Sequence, residues 1–205
     1  MNYKPIIVVA GEPYSVFLEI FFKTIAKNKF KKPIILISSK KLLINQMKKL
    51  NFDFKINLIN KDDVNFSKIN NKKINLIDVK FKFSKTFDKI SDKSNLYIAE
   101  CFDVALKLLK KKTFTGLING PISKKNFLKK RYLGITEYLA SKTNNKNKVA
   151  MLIYNKKLSV SPITTHLPLK DVHKKISKTK IVNQVKLIEQ FYIKKFGKKP
   201  KIAIT

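Results

Sequence analysis

Short apolar segments rich in β-branched residues alternate with amphipathic helical segments along the chain. This alternation is typical of β-α-β units, in which a helix carries the chain back so that consecutive strands run parallel. The pattern therefore predicts an α/β sandwich with a largely parallel sheet. Predicted strands cover 6–10, 33–38, 54–59, 74–79, 115–119, 149–154, 158–164 and 201–205. Predicted helices cover 15–27, 40–50, 94–111, 136–142 and 178–196.

Length and composition bound the class of protein. The chain has 205 residues, of which 44% are hydrophobic, enough for one large domain or one and a half. No apolar run approaches the roughly 20 residues of a membrane span, and the first run is too short for a signal peptide. The single cysteine, Cys101, lies in a helical pattern and is expected to be a buried hydrophobic residue. A cytoplasmic protein without disulfides or membrane contact is expected.

The formal net charge of +32 raises the alternative of a nucleic-acid-binding protein. All but one of the 45 basic residues are lysine, the exception being Arg131, and they are spread over the whole length. Nucleic-acid surfaces usually rely on arginine for bidentate and stacking contacts. We therefore favour a solvated, lysine-rich surface and expect no nucleic-acid partner, although the charge would attract anionic substrates.

The segment Ser161-Pro-Ile-Thr-Thr-His-Leu-Pro-Leu169 places a histidine where a predicted buried strand ends. His166 and His173 are the only histidines in the chain, and Pro168 prevents the strand from continuing. A strand-end imidazole is located where α/β enzymes hold ligands and metals. The alternative is a satisfied, partly buried histidine, and spacing alone leaves both interpretations open. His173 lies on a lysine-rich helical stretch and is expected to be exposed.

Three further motifs precede this segment in the order typical of one family. They are the turn Gly11-Glu12-Pro13, the loop Gly120-Pro121-Ile-Ser-Lys124 and the loop Gly134-Ile135-Thr136-Glu137. With Thr-Thr-His-Leu-Pro-Leu, these motifs resemble those of the 4-hydroxythreonine-4-phosphate dehydrogenase family of vitamin B6 biosynthesis. The resemblance extends from Ile6 to Thr205.

The resemblance implies an enzyme that oxidises 4-phosphohydroxy-L-threonine at its secondary alcohol, with NAD or NADP as hydride acceptor, after which the product loses carbon dioxide. It implies a divalent metal (Zn, Mg or Co) and a homodimer with a shared active site. It also implies a three-layer α/β/α fold like that of isocitrate and isopropylmalate dehydrogenases. The expected domains are 1–120, an N-terminal α/β domain, and 121–205, a partial second α/β domain at the active-site cleft. The absence of Gly-x-Gly-x-x-Gly agrees with a dinucleotide site other than the Rossmann type.

The family motifs assign roles to four residues. His166 matches a metal ligand and Thr136 a threonine that contacts substrate, although Thr136 would also suit a helix N-cap, with Glu137 in the first turn. Ile135 stands where the family has histidine and cannot hydrogen-bond an anion. Lys124 follows a strand end and could meet a phosphate as a point charge. No catalytic residue is assigned, and Glu12 is interpreted as part of a structural turn.

Two expectations qualify the function. Ile135 keeps open the alternative of a paralogous dehydrogenase acting on another phosphorylated hydroxy acid, such as 4-phosphothreonate or erythronate phosphate. The strand pattern Ile202-Ala-Ile-Thr205 stops without a turn or cap, and the family's other metal histidines would follow it. We therefore expect a truncated chain, inactive by itself, that binds divalent metal weakly.

Overall fold

The computed structural model describes residues 3–129, 131–146 and 148–205. The chain divides into two compact units, the first ending at Lys129 and the second comprising 130–205. The sequence-based boundary at residue 120 stays a prediction. In the described ranges, no helix has the length and apolar character needed to cross a membrane.

The first unit contains a five-stranded sheet in which every pair of neighbouring strands is parallel. Its strands are β1 (Ile6–Val9), β2 (Ile34–Ser38), β3 (Ile56–Leu58), β4 (Ile74–Asp78) and β5 (Gly116–Asn119). Their spatial order is β3-β4-β2-β1-β5. The chain adds β2, β3 and β4 on one side of β1 and then returns to add β5 on the other. The carboxyl ends of β1 and β5 thus form the topological switch point, where open α/β sheets bind ligands. The predicted parallel α/β architecture is confirmed.

Helices cover both faces of this sheet because successive strand residues point in opposite directions. Helices α1 (Phe17–Lys27) and α2 (Lys40–Lys49) contact each other. They cover a core that includes Val8, Leu36 and Leu76. Helix α3 (Asn95–Lys110) packs on β1, β2 and β5, and the alternate strand residues Ile7, Ile35 and Ile37, all fully buried, point away from the α1–α2 core.

The helix bounds follow local sequence signals. Ser39 caps α2 by accepting a hydrogen bond from the Leu42 amide. The first turn of α1 departs from the prediction, since its N-cap is Val16, which makes no side-chain cap bond, and the Ser15 hydroxyl lies 3.3 Å from the Phe17 amide. Cys101 is fully buried in α3, as expected.

The second unit consists of helices and irregular segments. Its helices are α4 (Ile135–Lys142), α5 (Leu169–Val172) and α6 (Lys178–Phe196). Gly197 ends α6 with a left-handed φ of 68°, as its position in the sequence predicts. His173 begins an exposed 3₁₀ turn (His173–Lys175), as expected.

The strands predicted in the second unit are wrong, except for one contact. The pair 149–154 and 158–164 is reduced to a single antiparallel bridge between Ile153 and Val160, and 201–205 is irregular. Leu158 and Val160 are 74% and 54% exposed, so the segment before His166 is not a buried strand. A strand needs neighbours to be stable, and the described residues of this unit supply no sheet for these segments to join.

Candidate functional site

Two groups of motif residues form candidate site regions, one in each unit. The first lies at the switch point, where β1 runs into Gly11-Glu12-Pro13 and β5 into Gly120-Pro121. Two backbone hydrogen bonds join these turns, from the Gly120 amide to the Val9 carbonyl (2.7 Å) and from the Glu12 amide to the Pro121 carbonyl (2.8 Å). This places the ends of both strands in direct contact.

Glycine at positions 11 and 120 is required by this contact. A Cβ on Gly120 would lie 2.1 Å from the Ala10 carbonyl oxygen, and one on Gly11 would lie 2.3 Å from the Pro121 oxygen. Gly11 also has a left-handed φ of 75°. Since the obstructing atoms belong to the backbone, no side-chain movement could relieve the clash.

Glu12 is a buried carboxylate beneath the switch point, only 2% exposed. The Ser94 hydroxyl lies 3.1 Å from each carboxylate oxygen, but it is also 2.9 Å from the Ser91 carbonyl and has a single proton to donate. Burial raises the pKa of Glu12, and the bonds from Ser94 and the Tyr14 amide only partly oppose this effect. These contacts agree with a structural role for the turn.

Lys124 is exposed and begins a short π-helical turn, Lys124–Leu128, just beyond the switch point. Ser123 caps this turn by accepting from the Asn126 amide, and the Asn95 side chain donates to the Asn126 carbonyl (2.9 Å). The hydrogen bond from Asn95 thus connects the turn that contains Lys124 to the first turn of α3, within the first unit.

The second region, in the second unit, joins the loop Gly134-Ile135-Thr136-Glu137 to the loop containing His166. A Cβ on Gly134 would lie 3.1 Å from Glu137 Oε2 and 3.4 Å from His166 Nε2. The φ of Gly134 is −161°, extended backbone that any residue adopts, so glycine is needed here for space and not for conformation. Two motifs separated by about thirty residues therefore meet at one point.

The backbone at His166 is strained. Its φ is 58°, in the left-handed region, which costs a non-glycine residue about 1 kcal/mol or more. The preceding segment is held by α6, because Gln184 Nε2 donates to Ser161 Oγ (2.8 Å) and the Pro162 carbonyl (2.9 Å). The imidazole itself is exposed. Strain of this kind is concentrated at ligand sites, where surrounding contacts maintain it.

Helix α4 begins one residue earlier than predicted, with Gly134 as its N-cap. Thr136 is consequently inside the first turn, and its interpretation as an N-cap is wrong. Thr136 is exposed, so a ligand could reach its hydroxyl. Ile135 is half-buried, and Glu137 lies in the first turn as expected.

Sequence reasoning treated Glu137 only as a helix-terminal acid. Its Oε2 is buried and makes no hydrogen bond to any described residue. Its spacing from Gly134 was a usable signal, since a residue in the first helical turn can reach back over the N-cap. An imidazole nitrogen and an orphaned carboxylate oxygen at one point are donors that suit a divalent cation. In the described ranges, no three His, Cys, Asp or Glu side chains gather as a metal cluster.

Comparison with known proteins extends these observations. The family model of the pyridoxal phosphate biosynthetic protein PdxA matches residues 29–205. The 4-hydroxythreonine-4-phosphate dehydrogenase of Sulfurihydrogenibium sp. is 37% identical over 204 residues, covering 96% of this chain and 61% of that protein. The enzyme of the same name from Colwellia psychrerythraea is 27% identical, covering 96% of this chain and 60% of that protein.

Solved structures share the fold. The crystal structure of 4-hydroxythreonine-4-phosphate dehydrogenase from Klebsiella pneumoniae superposes with a TM-score of 0.79 at 21% identity, covering 92% of this chain and 59% of that one. A 4-hydroxythreonine-4-phosphate dehydrogenase from Burkholderia phymatum gives 0.77 at 19% identity, covering 95% and 59%. The chain thus spans about three fifths of the length of the relatives that it matches.

Proposed function

The chain belongs to the family of the pyridoxal phosphate biosynthetic protein PdxA, and we propose that it carries part of the active site of a 4-hydroxythreonine-4-phosphate dehydrogenase. The reaction is NAD(P)- and metal-dependent oxidation and decarboxylation of 4-phosphohydroxy-L-threonine. The observation that supports it is the meeting of the Gly-Ile-Thr-Glu and Thr-Thr-His loops, where Glu137 and His166 face Gly134. The dinucleotide, NAD or NADP, and the homodimer with a shared site are part of this proposal.

His166 is the proposed ligand for the divalent metal (Zn, Mg or Co). The orphaned Glu137 Oε2 beside its ring gives this point the electron-pair donors that such an ion requires. When bound, the ion would polarise the alcohol oxygen and stabilise the negative charge left by decarboxylation. The left-handed backbone at residue 166, maintained by the contacts of α6, would hold the imidazole ready for this role.

The proposed substrate contacts are those that the family motifs assign. The exposed Thr136 hydroxyl would donate to the phosphate or carboxylate of the substrate. Lys124, at the carboxyl edge of the sheet, would attract the phosphate as a point charge. Ile135 would line the site without bonding the anion.

Ile135 favours a second candidate function, a paralogous dehydrogenase acting on 4-phosphothreonate or erythronate phosphate. An apolar side chain in the first turn of α4 removes a hydrogen-bond donor that the family pattern places there. A binding comparison of the three phosphorylated acids separates the candidates, since the preferred substrate should bind most tightly.

The test is calorimetric titration of the tag-free chain with 4-phosphohydroxythreonine, with and without Zn²⁺. We expect Zn²⁺ to strengthen substrate binding in the wild type and in His173→Ala, the matched histidine control. His166→Ala should lose the effect of Zn²⁺ while keeping its far-UV spectrum. A zinc effect that survives in His166→Ala would contradict the assignment.

A companion variant tests the anion contact. A hydrogen bond to a charged group contributes roughly 1.5–3 kcal/mol, so Ile135→His should tighten 4-phosphohydroxythreonine binding by about tenfold to over a hundredfold. Tighter binding of another phosphorylated acid by the wild type, weakened in Ile135→His, would favour the paralogous dehydrogenase instead.

A further inference from the structure

The Glu137 carboxylate lacks the partner that a buried oxygen requires. Its Oε2 is buried and accepts no hydrogen bond from the described residues, and such a group is destabilising when nothing compensates it. The chain has 45 basic residues and only 13 acidic ones, so cations are abundant. Yet in the described ranges no lysine or arginine forms an ion pair with Glu137. No described basic side chain therefore balances the charge of this oxygen.

The His166 ring approaches the same residue, Gly134, as the Glu137 carboxylate does. Oε2 and Nε2 lie 3.1 and 3.4 Å from the same point, the position that a Gly134 Cβ would occupy. Both atoms therefore approach the Cα of Gly134 more closely than a side chain at that residue would permit. They do not form a hydrogen bond with each other, because Oε2 has none.

We propose that Glu137 is a second protein ligand of the divalent cation, together with His166. This inference rests on the proposed function, because it concerns the cation assigned to His166, and it adds a donor that the motif comparison did not assign. A bound cation would supply the partner that Oε2 lacks. The pair combines one imidazole nitrogen with one carboxylate oxygen, a set that accepts Zn²⁺ and also oxygen-preferring ions such as Mn²⁺.

A carboxylate in the first turn of α4 could instead serve only the helix, by interacting with its dipole. That role predicts a change in thermal stability and none in cation affinity. A carboxylate that merely oriented the imidazole would act through His166, so its removal would reproduce the ion selectivity of His166→Ala. A direct ligand has its own selectivity, because oxygen donors matter most to hard cations.

The experiment measures Zn²⁺ binding by calorimetry and Mn²⁺ binding by the electron paramagnetic resonance signal of the free ion, using the tag-free 205-residue chain. We expect Glu137→Gln to weaken the binding of both ions by more than about tenfold, with the larger loss of affinity for Mn²⁺. His166→Ala should show the larger loss for Zn²⁺. Glu189→Gln and His173→Gln, which alter a surface acid and the other histidine, are the matched controls and should bind as the wild type does.

The outcomes separate the inference from the function on which it rests. If Glu137→Gln binds both ions within about twofold of the wild type while His166→Ala does not, Glu137 is not a ligand and the role of His166 stands. If Glu137→Gln reproduces the zinc-weighted loss of His166→Ala, Glu137 only positions the ring, and the inference also fails. If His166→Ala binds normally, the metal assignment itself is overturned. Should Glu137→Gln fail to fold, Glu137→Asp carries the test, because it keeps the charge but withdraws the oxygen, and unchanged affinity there refutes the inference.

Discussion

Replacing Gly120 with alanine tests whether the switch point requires direct backbone contact between β1 and β5. The new Cβ would lie 2.1 Å from the Ala10 oxygen, 2.8 Å from its carbon and 2.9 Å from a ring carbon of Phe17. The phenyl ring can rotate, but the carbonyl cannot move without displacing β1. The two strand ends must therefore separate, and the hydrogen bonds Gly120 N to Val9 O and Glu12 N to Pro121 O are lost or lengthened.

The expected loss in the free energy of unfolding follows from these contacts. Two hydrogen bonds contribute about 0.5–1.5 kcal/mol each, and overpacking costs a further 1–3 kcal/mol or so. Gly120→Ala should thus lower the free energy of unfolding by roughly 2–6 kcal/mol, a large share of the ~5–15 kcal/mol of a typical domain. With a urea m-value of about 2 kcal/mol/M, the midpoint falls by about 1–3 M.

Gly116 provides the matched control, because it begins β5, the strand that ends just before Gly120. A Cβ there meets nothing within 4 Å, so Gly116→Ala should change stability by less than about 1 kcal/mol. Gly197→Ala isolates the backbone effect, because Gly197 has φ of 68° but open space around it, and it should cost about 1 kcal/mol. A urea midpoint of Gly120→Ala equal to that of Gly116→Ala would refute the argument from contact.

Three further outcomes are expected. Gly134→Ala should weaken Zn²⁺ binding in calorimetry while changing the melting temperature little, because its φ is ordinary and the new Cβ would press only on the side chains of Glu137 and His166. A lower melting temperature with unchanged affinity would contradict this. Burial raises the pKa of Glu12 above its usual 4.5, so the folded state binds this proton more tightly than the unfolded state. The stability of the wild type relative to Glu12→Gln should then fall as pH rises from about 4.5 through the raised pKa, and urea titrations with a pH-independent difference would refute it. Burial raises the pKa of the Cys101 thiol to about 12, so a disulfide reagent at pH 8 should modify it only in urea, and rapid modification of the native chain would be the contrary result.

The first unit was largely predictable because its local signals agree with its tertiary structure. The run before Gly11 forms an interior strand of the sheet, and strands buried on both faces are continuously apolar. The predicted helix 40–50 ends one residue later than α2, and Ser39 caps it through an ordinary side-chain bond. What sequence could not give was the burial of Glu12, which depends on Ser94 arriving from another element.

The second unit was predictable only in its helices. The β-branched run ending at His166 has the composition of a strand, but strand formation depends on neighbours that composition does not report. The approach of His166 to Gly134 depends on a left-handed backbone at a histidine, a conformation that only a few per cent or so of non-glycine residues adopt. The spacing of Glu137 from Gly134 was a usable signal, but the approach of His166 to both residues could not be predicted without the loop conformation.

The order of the strands has a consequence for how the protein is made. Ile6 pairs with Ile34 on one side but with Gly116 on the other, so β1 has both its neighbours only after β5 has been synthesised. At roughly 5–20 residues per second, a ribosome needs about 5–20 s between these two strands. During that interval one edge of β1, flanked by apolar side chains, remains available to other nascent chains. Synthesis of this protein thus includes a stage in which the unpaired edge of β1 needs protection by chaperones. This stage ends when Asn119, the last residue of β5, has left the exit tunnel.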